Sequence, residues 1–190
     1  PVAWTVAVKN SLNTTVRSYS GGGPTIACVW DGKDGAGVLQ PDGVYAVAVS
    51  ATVGSSSAAA SGTVTLDTTL PSVVLTAPVP GLVLSNVYQS TSVSATGSVS
   101  DTNLSSWTLD WGAGSAPTTW TTISTGTSPV SNGTFGVWNW STLANGAYTL
   151  RIQGLDQAGN RSTVTSTVTV GNFSVSQSVL QCNHGSGGTV

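Results

Sequence analysis

Charge is the scarcest property of this sequence. Asp, Glu, Lys and Arg make up only 6% of its 190 residues, and neither Glu nor Met occurs. Glu, Lys, Gln and Arg are residues that helices favour, and Val, Thr, Trp and Tyr favour strands. The composition therefore predicts β structure. The net charge of −2 provides no basic surface of the kind that nucleic-acid-binding proteins need.

Long hydrophobic runs and cysteines are also few. No run of about 18 apolar residues is present, so we expect no membrane-spanning segment. Two cysteines are too few for a disulfide-rich scaffold or a zinc site. Residues 1–4 lack the charged and apolar regions of a signal peptide, so either a leader was removed or the chain is a piece of a longer product. A Ser/Thr-rich chain with little Lys and no Glu is unusual in the cytosol, and we expect an extracellular or cell-surface protein.

Groups that could perform catalysis are scarce as well. The single histidine, His184, lies in a Gly-rich tail without an evident partner to orient it. Most of the aspartates lie in turn motifs, and no G-x-S-x-G motif occurs. The sequence therefore predicts a protein that is not an enzyme and has no catalytic residues.

Short strand-like segments separated by Gly, Asn, Asp, Pro and Ser are abundant. Residues 4–9 alternate between apolar and polar, residues 26–30 form an apolar run, and residues 43–49 and 62–66 have strand composition. No window shows a helical period.

A second series of strands follows a predicted linker at residues 66–71, in which Pro71 would end strand pairing. Seven short strands over about 100 residues are typical of an immunoglobulin-type sandwich. The predicted fold class is all-β, with tandem antiparallel Ig-like β-sandwiches. The predicted domains are residues 1–66, residues 67–171 and a C-terminal segment of residues 172–190. The strands of the second series are expected at residues 73–75, 91–99, 106–111, 119–124, 133–140, 147–155 and 162–170.

Two motifs in the first domain carry a family resemblance. Residues 29–37 read VWDGKDGAG and residues 41–45 read PDGVY. Together they resemble the Ig-like domain of flagellar hook-assembly (FlgD-type) proteins, which also recurs in secreted bacterial proteins. We expect Trp30 and Tyr45 to enter the core, and the Asp and Gly residues to form the tight loop between two strands.

A further set of motifs spans the second domain. They are Asp67-Thr68-Thr69, residues 95–101, Leu104, Trp107, Leu109, the sequence GAYTLR at residues 146–151 and DQAGN at residues 156–160. Together they resemble bacterial Ig-like or fibronectin III-like repeats, which large cell-surface and adhesin-like proteins carry in arrays. The resemblance implies architecture far better than function.

The C-terminal segment resembles the opening of another FlgD-type module. It has an alternating strand and then Asn183-His184-Gly185, whereas the first domain lacks those opening strands. One explanation is a piece of a longer array with flanking Ig-like modules. The other is donor-strand exchange, in which the tail of one copy completes the first domain of the next and builds a filament. The predicted assembly strand presents on one face Phe173, Val175, Gln177 and Val179.

Cys28 and Cys182 would lie in the same completed FlgD-type module. Outside the cell they would tend to oxidise, and the disulfide would be intermolecular if the tail docks onto another chain. The alternative is a pair of free buried thiols.

Calcium is the best ligand hypothesis, because Ca²⁺ takes oxygen ligands from Asp, Asn and backbone carbonyls in loops. Four residues could converge at one end of the second domain, and ions of this kind stiffen joints in related arrays. The alternative is local turn chemistry, in which each side chain bonds to nearby backbone N–H groups. The four residues are Asp67, Asp101, Asp156 and Asn160.

Trp138 and Trp140 would share one face of a strand and could stack on a sugar. The alternative is that they pack in the sandwich core, which must bury its large aromatics. The sequence as a whole predicts a structural spacer, stalk or filament subunit of a bacterial surface array. An adhesin or carbohydrate-binding accessory module of a larger secreted protein is the alternative.

Overall fold

A computed structural model describes residues 1–85 and 91–171. The described residues form twelve strands and no helix, which confirms the predicted all-β class. Consistent with this, no helix in the described part of the chain is long and apolar enough to cross a membrane. The chain divides into two compact units: unit 1 comprises residues 1–70 with 156–160, and unit 2 comprises residues 71–155 with the residues that follow 160.

Unit 1 is built on one antiparallel sheet in the order β2-β1-β3-β4. Its strands are β1 (Ala3–Lys9), β2 (Thr15–Gly22), β3 (Gly43–Val53) and β4 (Ser56–Leu66). The predicted strands at residues 4–9, 43–49 and 62–66 are confirmed. Strand β2 was not predicted, because its sequence TVRSYSGG carries few apolar residues.

The two faces of this sheet differ in chemistry because side chains alternate along each strand. Val6 and Val8 of β1 and Tyr45 of β3 are buried on one face, which we call the apolar face. The opposite face carries small and polar residues. The cross-strand row through its centre consists of Ser18, Ala7, Ala48 and Ser61.

Residues 23–42 connect β2 to β3 and lie partly over the apolar face. The Trp30 ring contacts the Tyr45 ring at a centroid distance of 4.7 Å, and the Tyr19 hydroxyl donates to the Val29 carbonyl oxygen at 2.9 Å. The apolar run at residues 26–30 forms no strand.

Unit 2 is a sandwich of two sheets with the orders β10-β7-β5 and β6-β12-β11-β8-β9. Each of the seven predicted strands is present, and the two-residue β6 was not foreseen. The strands are β5 (Ser72–Ala77), β6 (Val83–Leu84), β7 (Ser92–Ser100), β8 (Leu104–Ala113), β9 (Thr121–Gly126), β10 (Val130–Asn139), β11 (Gly146–Asp156) and β12 (Arg161–Val170).

The core of unit 2 draws on both sheets, as an Ig-like sandwich requires. Ala95 and Val99 of β7 are fully buried, as are Leu150 and Ile152 of β11 in the facing sheet. Trp107 packs edge-on against Phe135 with ring centroids 5.3 Å apart.

Candidate functional site

The sheet of unit 1 repeats one sheet of unit 2, and this repetition defines the candidate site. The order β2-β1-β3-β4 corresponds to β9-β8-β11-β12. Trp4 of β1 pairs with Gly21 of β2, and Trp107 of β8 pairs with Gly126 of β9. In both pairs the indole ring lies over the glycine, so that an added Cβ would collide with the ring.

A tyrosine corner is repeated in the same way. The Tyr45 hydroxyl, near the start of β3, donates to the Pro41 carbonyl oxygen at 2.7 Å. The Tyr148 hydroxyl, near the start of β11, donates to the Ala144 carbonyl oxygen at 2.9 Å. In Ig-like folds, such a tyrosine lies near the start of one particular strand, and its hydroxyl bonds to the backbone a few residues upstream. The strands β3 and β11 are therefore equivalent.

The facing sheet of the sandwich distinguishes the two units. In unit 2, the sheet β10-β7-β5 covers the face that bears Trp107. Among the described residues of unit 1, the four strands form a single sheet. Residues 23–42 lie between β2 and β3 in the chain, at the position that β10 has between β9 and β11 in unit 2. Residues 1–70 thus form half of an Ig-like sandwich.

The outer edge of β12 in unit 2 is occupied. Strand β6 lies beside it in parallel, with Val83 opposite Thr169. The Gly81 N–H donates to the Thr167 carbonyl oxygen at 2.8 Å, and the Thr169 N–H donates to the Leu82 carbonyl oxygen at 2.9 Å. The equivalent strand in unit 1, β4, is an edge of its sheet within the described part of the chain.

Strand β4 has few features that prevent a further strand from pairing with it. It is 11 residues long, and its first ten residues are exposed. It contains no charged residue and no proline, and it pairs with β3 without a bulge. Natural edge strands usually carry charges, prolines or bulges because these discourage pairing. We call the outer side of Ser56–Leu66 the β4 edge.

Strand β2, at the other side of the sheet, is better protected. The Gly35 N–H donates to the Val16 carbonyl oxygen at 3.1 Å. Arg17 adds a charge and donates from Nη1 to the Asp34 carbonyl oxygen at 2.9 Å. A register shift interrupts the pairing of β1 with β2. The loop 23–42 and the charge therefore make this edge a poorer partner for another strand.

The predicted assembly strand lies outside the described residues, as do His184 and Cys182. Cys28, the described cysteine, is exposed in the loop 23–42. The alternative of a buried thiol is therefore wrong for Cys28, because this loop covers only part of the apolar face.

The predicted calcium ligands fall into both units. Asp67, Asp156 and Asn160 belong to unit 1, whereas Asp101 belongs to unit 2. Carboxylate oxygens of Asp67 and Asp156 lie within 4.8 Å of each other. The Asp101 carboxylate accepts from the Asn103 N–H at 2.7 Å, which is an Asx turn.

Asn160 joins Asp156 to Asp67. Its backbone N–H donates to Asp156 Oδ1 at 2.8 Å, and its side-chain Nδ2 donates both to Asp156 Oδ2 at 2.8 Å and to the Asp67 carbonyl oxygen at 2.9 Å. Asp156 is buried, with 2% of its surface exposed. Burial raises the pKa of the Asp156 carboxyl, but the bonds from Asn160 and neighbouring N–H groups outweigh it and hold that pKa below its ordinary value.

Asp34 and Asp42, in the loops of unit 1, each accept hydrogen bonds from other residues of that unit. Asp34 Oδ1 accepts from the N–H groups of Ala36 and Val38, both at 2.9 Å. Asp42 accepts from the hydroxyl groups of Thr69 and Thr68. These bonds lower the pKa of the Asp42 carboxyl, and the bond from Thr69 has the largest effect. They fix the start of β3 to the chain that follows β4.

The predicted sugar-stacking platform is wrong. Trp138 and Trp140 are 1% and 0% exposed, respectively, and the Trp138 ring packs against Trp111 and Tyr148 with centroids 5.8 and 5.9 Å away. Rings enclosed in this way cannot stack on a sugar. None of the seven tryptophans in the chain is exposed.

One polar cluster in unit 2 was not foreseen. Arg151 donates from Nη2 to Asp110 Oδ2 at 2.8 Å, and its guanidinium carbon lies 3.9 Å from the centroid of the Trp120 ring. The Thr122 hydroxyl donates to Asp110 Oδ1 at 2.8 Å. The polar positions within β8 and β11 were the available signal, but their contact requires the pairing order of the sheet.

Comparisons with known proteins place the chain in no family. No protein-family model matches it, and no curated protein sequence matches it. Among solved structures it is similar to an engineered protein (20% identity over 53% of this chain and 20% of that chain, TM-score 0.36). It is also similar to a tetra-tandem repeat from the extending region of a large adhesion protein (18% identity over 89% of this chain and 42% of that chain, TM-score 0.37). A third match is a chimeric titin Z1Z2-Z1Z2 tandem (14% identity over 92% of this chain and 84% of that chain, TM-score 0.32). The chain spans less than half the length of the first two. At these values the matches support no functional conclusion, and the Ig-like assignment rests on the strand order and tyrosine corners described above.

Proposed function

We propose that the chain is a structural module of a bacterial surface filament, stalk or array, and that its copies join head-to-tail by donor-strand complementation. The observation that carries the proposal is the half sandwich of residues 1–70. Its sheet matches the sheet β9-β8-β11-β12 of unit 2 strand for strand, while the described residues contain no facing sheet for it.

An incomplete sandwich leaves apolar surface that a further strand can cover. Val47 and Val49 of β3 are only half-buried, and Val64 of β4 is 39% exposed. Burying apolar surface is favourable by about 25 cal/mol per Å², and backbone pairing at an open edge adds hydrogen bonds. A contact between the tail of one copy and the first unit of another is heterologous, so it extends into a filament unless it closes into a ring.

A mechanical role agrees with the chemistry of the polar residues. The buried carboxylates of Asp110 and Asp156 are each held by a partner, Arg151 or Asn160. Buried polar networks that are satisfied in this way make the structure rigid. In this proposal the chain is not an enzyme.

An extracellular location is part of the proposal. The sparse charge leaves Ser, Thr, Asn and Gly to keep the surface hydrated, and the five Lys and Arg residues offer little to proteases of trypsin type. The partners would be copies of the chain or flanking Ig-like modules. An adhesin or carbohydrate-binding accessory module is the alternative. Carbohydrate binding by Trp138 and Trp140 is not supported, because both residues are buried.

The test compares the full chain with two variants of its tail. Val175→Asp introduces a charge on the apolar side of the predicted assembly strand, and Ser176→Asp introduces the same charge on its polar side. We expect sedimentation velocity and electron microscopy to show concentration-dependent, head-to-tail oligomers for the wild type and Ser176→Asp, and monomers for Val175→Asp. Monomeric wild type at all concentrations would refute the proposal.

A further inference from the structure

We propose that the β4 edge is the acceptor, and that residues 173–180 of a second copy bind it as a strand parallel to β4. The added strand would take the position that β6 has beside β12. This inference rests on the proposed head-to-tail assembly and specifies its interface. Four observations on β4 and the tail support the inference.

The first observation is the equivalence of the two edges. Tyr148 pairs with Val168 of β12, and Tyr45 pairs with Val64 of β4. Because the two tyrosines make the same corner, Val168 and Val64 are equivalent positions. Unit 2 therefore shows, within the same chain, that the edge corresponding to β4 accepts a parallel strand.

The second observation is the direction of the backbone groups. In β12, the carbonyl of Thr167 and the N–H of Thr169 face β6. By the equivalence of Val168 with Val64, the corresponding residues of β4 are Thr63 and Thr65. Since alternate residues of a strand direct their N–H and C=O groups to the same side, the β4 edge presents a regular row of such groups, spaced for an added strand.

The third observation is the match of side chains on both faces. Leu82 and Leu84, which flank Val83, turn towards the core of unit 2, and Leu84 is 2% exposed. Residues 173–179 alternate in the same manner. If Phe173, Val175, Gln177 and Val179 lie on the side of the apolar face, the serines between them lie on the opposite side, which carries small and polar residues.

The fourth observation is the lack of repulsion. Neither β4 nor residues 172–180 contains a charged residue or a proline. A charge on the apolar side of either strand would have to lose water or meet an apolar partner. The β2 edge, in contrast, carries Arg17 and is bonded by the Gly35 N–H. The chemistry of the tail therefore favours β4 over β2.

Hydrogen–deuterium exchange on the full chain tests the acceptor directly. We expect the N–H groups of Ser61, Thr63 and Thr65 to exchange at least roughly tenfold more slowly in wild type and Ser176→Asp than in Val175→Asp. The N–H groups along β2 should exchange alike in all three proteins.

The outcomes separate the inference from the proposed function. Association with tail-dependent protection of β2 instead of β4 would overturn the inference and leave head-to-tail assembly standing. Protection of β4 in a monomer would show that the tail of the same copy occupies the edge, which overturns the second-copy assignment. A monomer without tail-dependent protection would overturn both.

A change in the acceptor provides an independent check. Thr63→Pro removes an outward N–H and leaves the bonds of β4 to β3, and proline is tolerated at sheet edges in such positions. We expect this variant to lose oligomers as Val175→Asp does, while its circular dichroism spectrum remains that of the wild type. Oligomers that persist with a folded Thr63→Pro protein would contradict the inference.

Discussion

At the scale of single residues, the indole rings over Gly21 and Gly126 explain why neither position carries a side chain. We predict that Gly21→Ala lowers the free energy of unfolding by about 1–3 kcal/mol, because the added methyl group forces the Trp4 ring to move. The measurement is urea denaturation followed by tryptophan fluorescence. Gly62→Ala is the matched control, since no atom lies within 4 Å of its added Cβ. Equal effects at both positions would contradict the packing argument.

The Arg151–Asp110 pair gives a second prediction at this scale. The Asp110 side chain is 5% exposed, so removal of its partner leaves a buried carboxylate without a compensating charge. We expect Arg151→Leu to destabilise the protein by about 3 kcal/mol in urea denaturation. Arg161→Leu, at an exposed arginine of β12, should change stability by less than about 0.5 kcal/mol. A smaller loss at Arg151 than at Arg161 would contradict this account.

At the scale of the elements, the loop between β11 and β12 makes stability depend on pH. The lowered pKa of Asp156 means that its contribution is complete above its ordinary value of 3.8 and is lost as the pH falls through the lowered value. We predict that the melting temperature of the wild type falls more steeply than that of Asp156→Asn as the pH falls below 3.8. The two proteins share all other carboxyl groups, so parallel curves would refute the prediction.

Calcium binding at the same loop stays a prediction. Asp67 and Asp156 bring carboxylate oxygens within 4.8 Å of each other, but the bonds from Asn160 also satisfy Asp156 without an ion. If Ca²⁺ binds, 1 mM calcium should raise the melting temperature relative to chelator, because a ligand of the native state stabilises it. Asp156→Asn should remove that difference. Identical melting curves for the wild type in calcium and in chelator would refute the prediction.

At the scale of the whole molecule, assembly predicts a covalent link between copies. Cys28 is exposed, and in the proposed assembly Cys182 of another chain would be its partner. After mild oxidation, we expect non-reducing gels to show a ladder of multimers that reducing agent collapses to one band. Cys28→Ser and Cys182→Ser should each abolish the ladder, because one cysteine per chain supports no more than a dimer. A ladder that survives in Cys28→Ser would contradict the pairing.

Strand positions were the most predictable part of the fold. Alternation and apolar content sufficed for β3 and β12, because each strand turns alternate residues to one side, which β12 buries and β3 partly buries. Strand β2 was missed because its sequence is polar and glycine-rich, and its place in the sheet depends on pairing with β1. Strand β6 was missed because two residues are too few to show a period.

The candidate sites were less predictable, because a site depends on which side chains meet. The sequence predicted that Trp30 and Tyr45 enter the core; Tyr45 is buried, whereas Trp30, whose ring contacts it, is only partly buried. Trp138 and Trp140 were predicted as an exposed surface that could stack on a sugar, but an i, i+2 pattern fits a buried face as well as an exposed one. The Arg151–Asp110 contact joins residues 41 positions apart in the chain and follows only from the order of strands.

The sequence by itself determined that this protein is all-β, sparsely charged and built from short alternating strands, because composition and periodicity act locally along the chain. Only the tertiary structure decided that residues 1–70 form a single sheet, that this sheet repeats the β9-β8-β11-β12 sheet of unit 2, and that β4 lies at its edge. Sheet order depends on pairing between distant segments, and no local pattern specifies which strand is left at the edge.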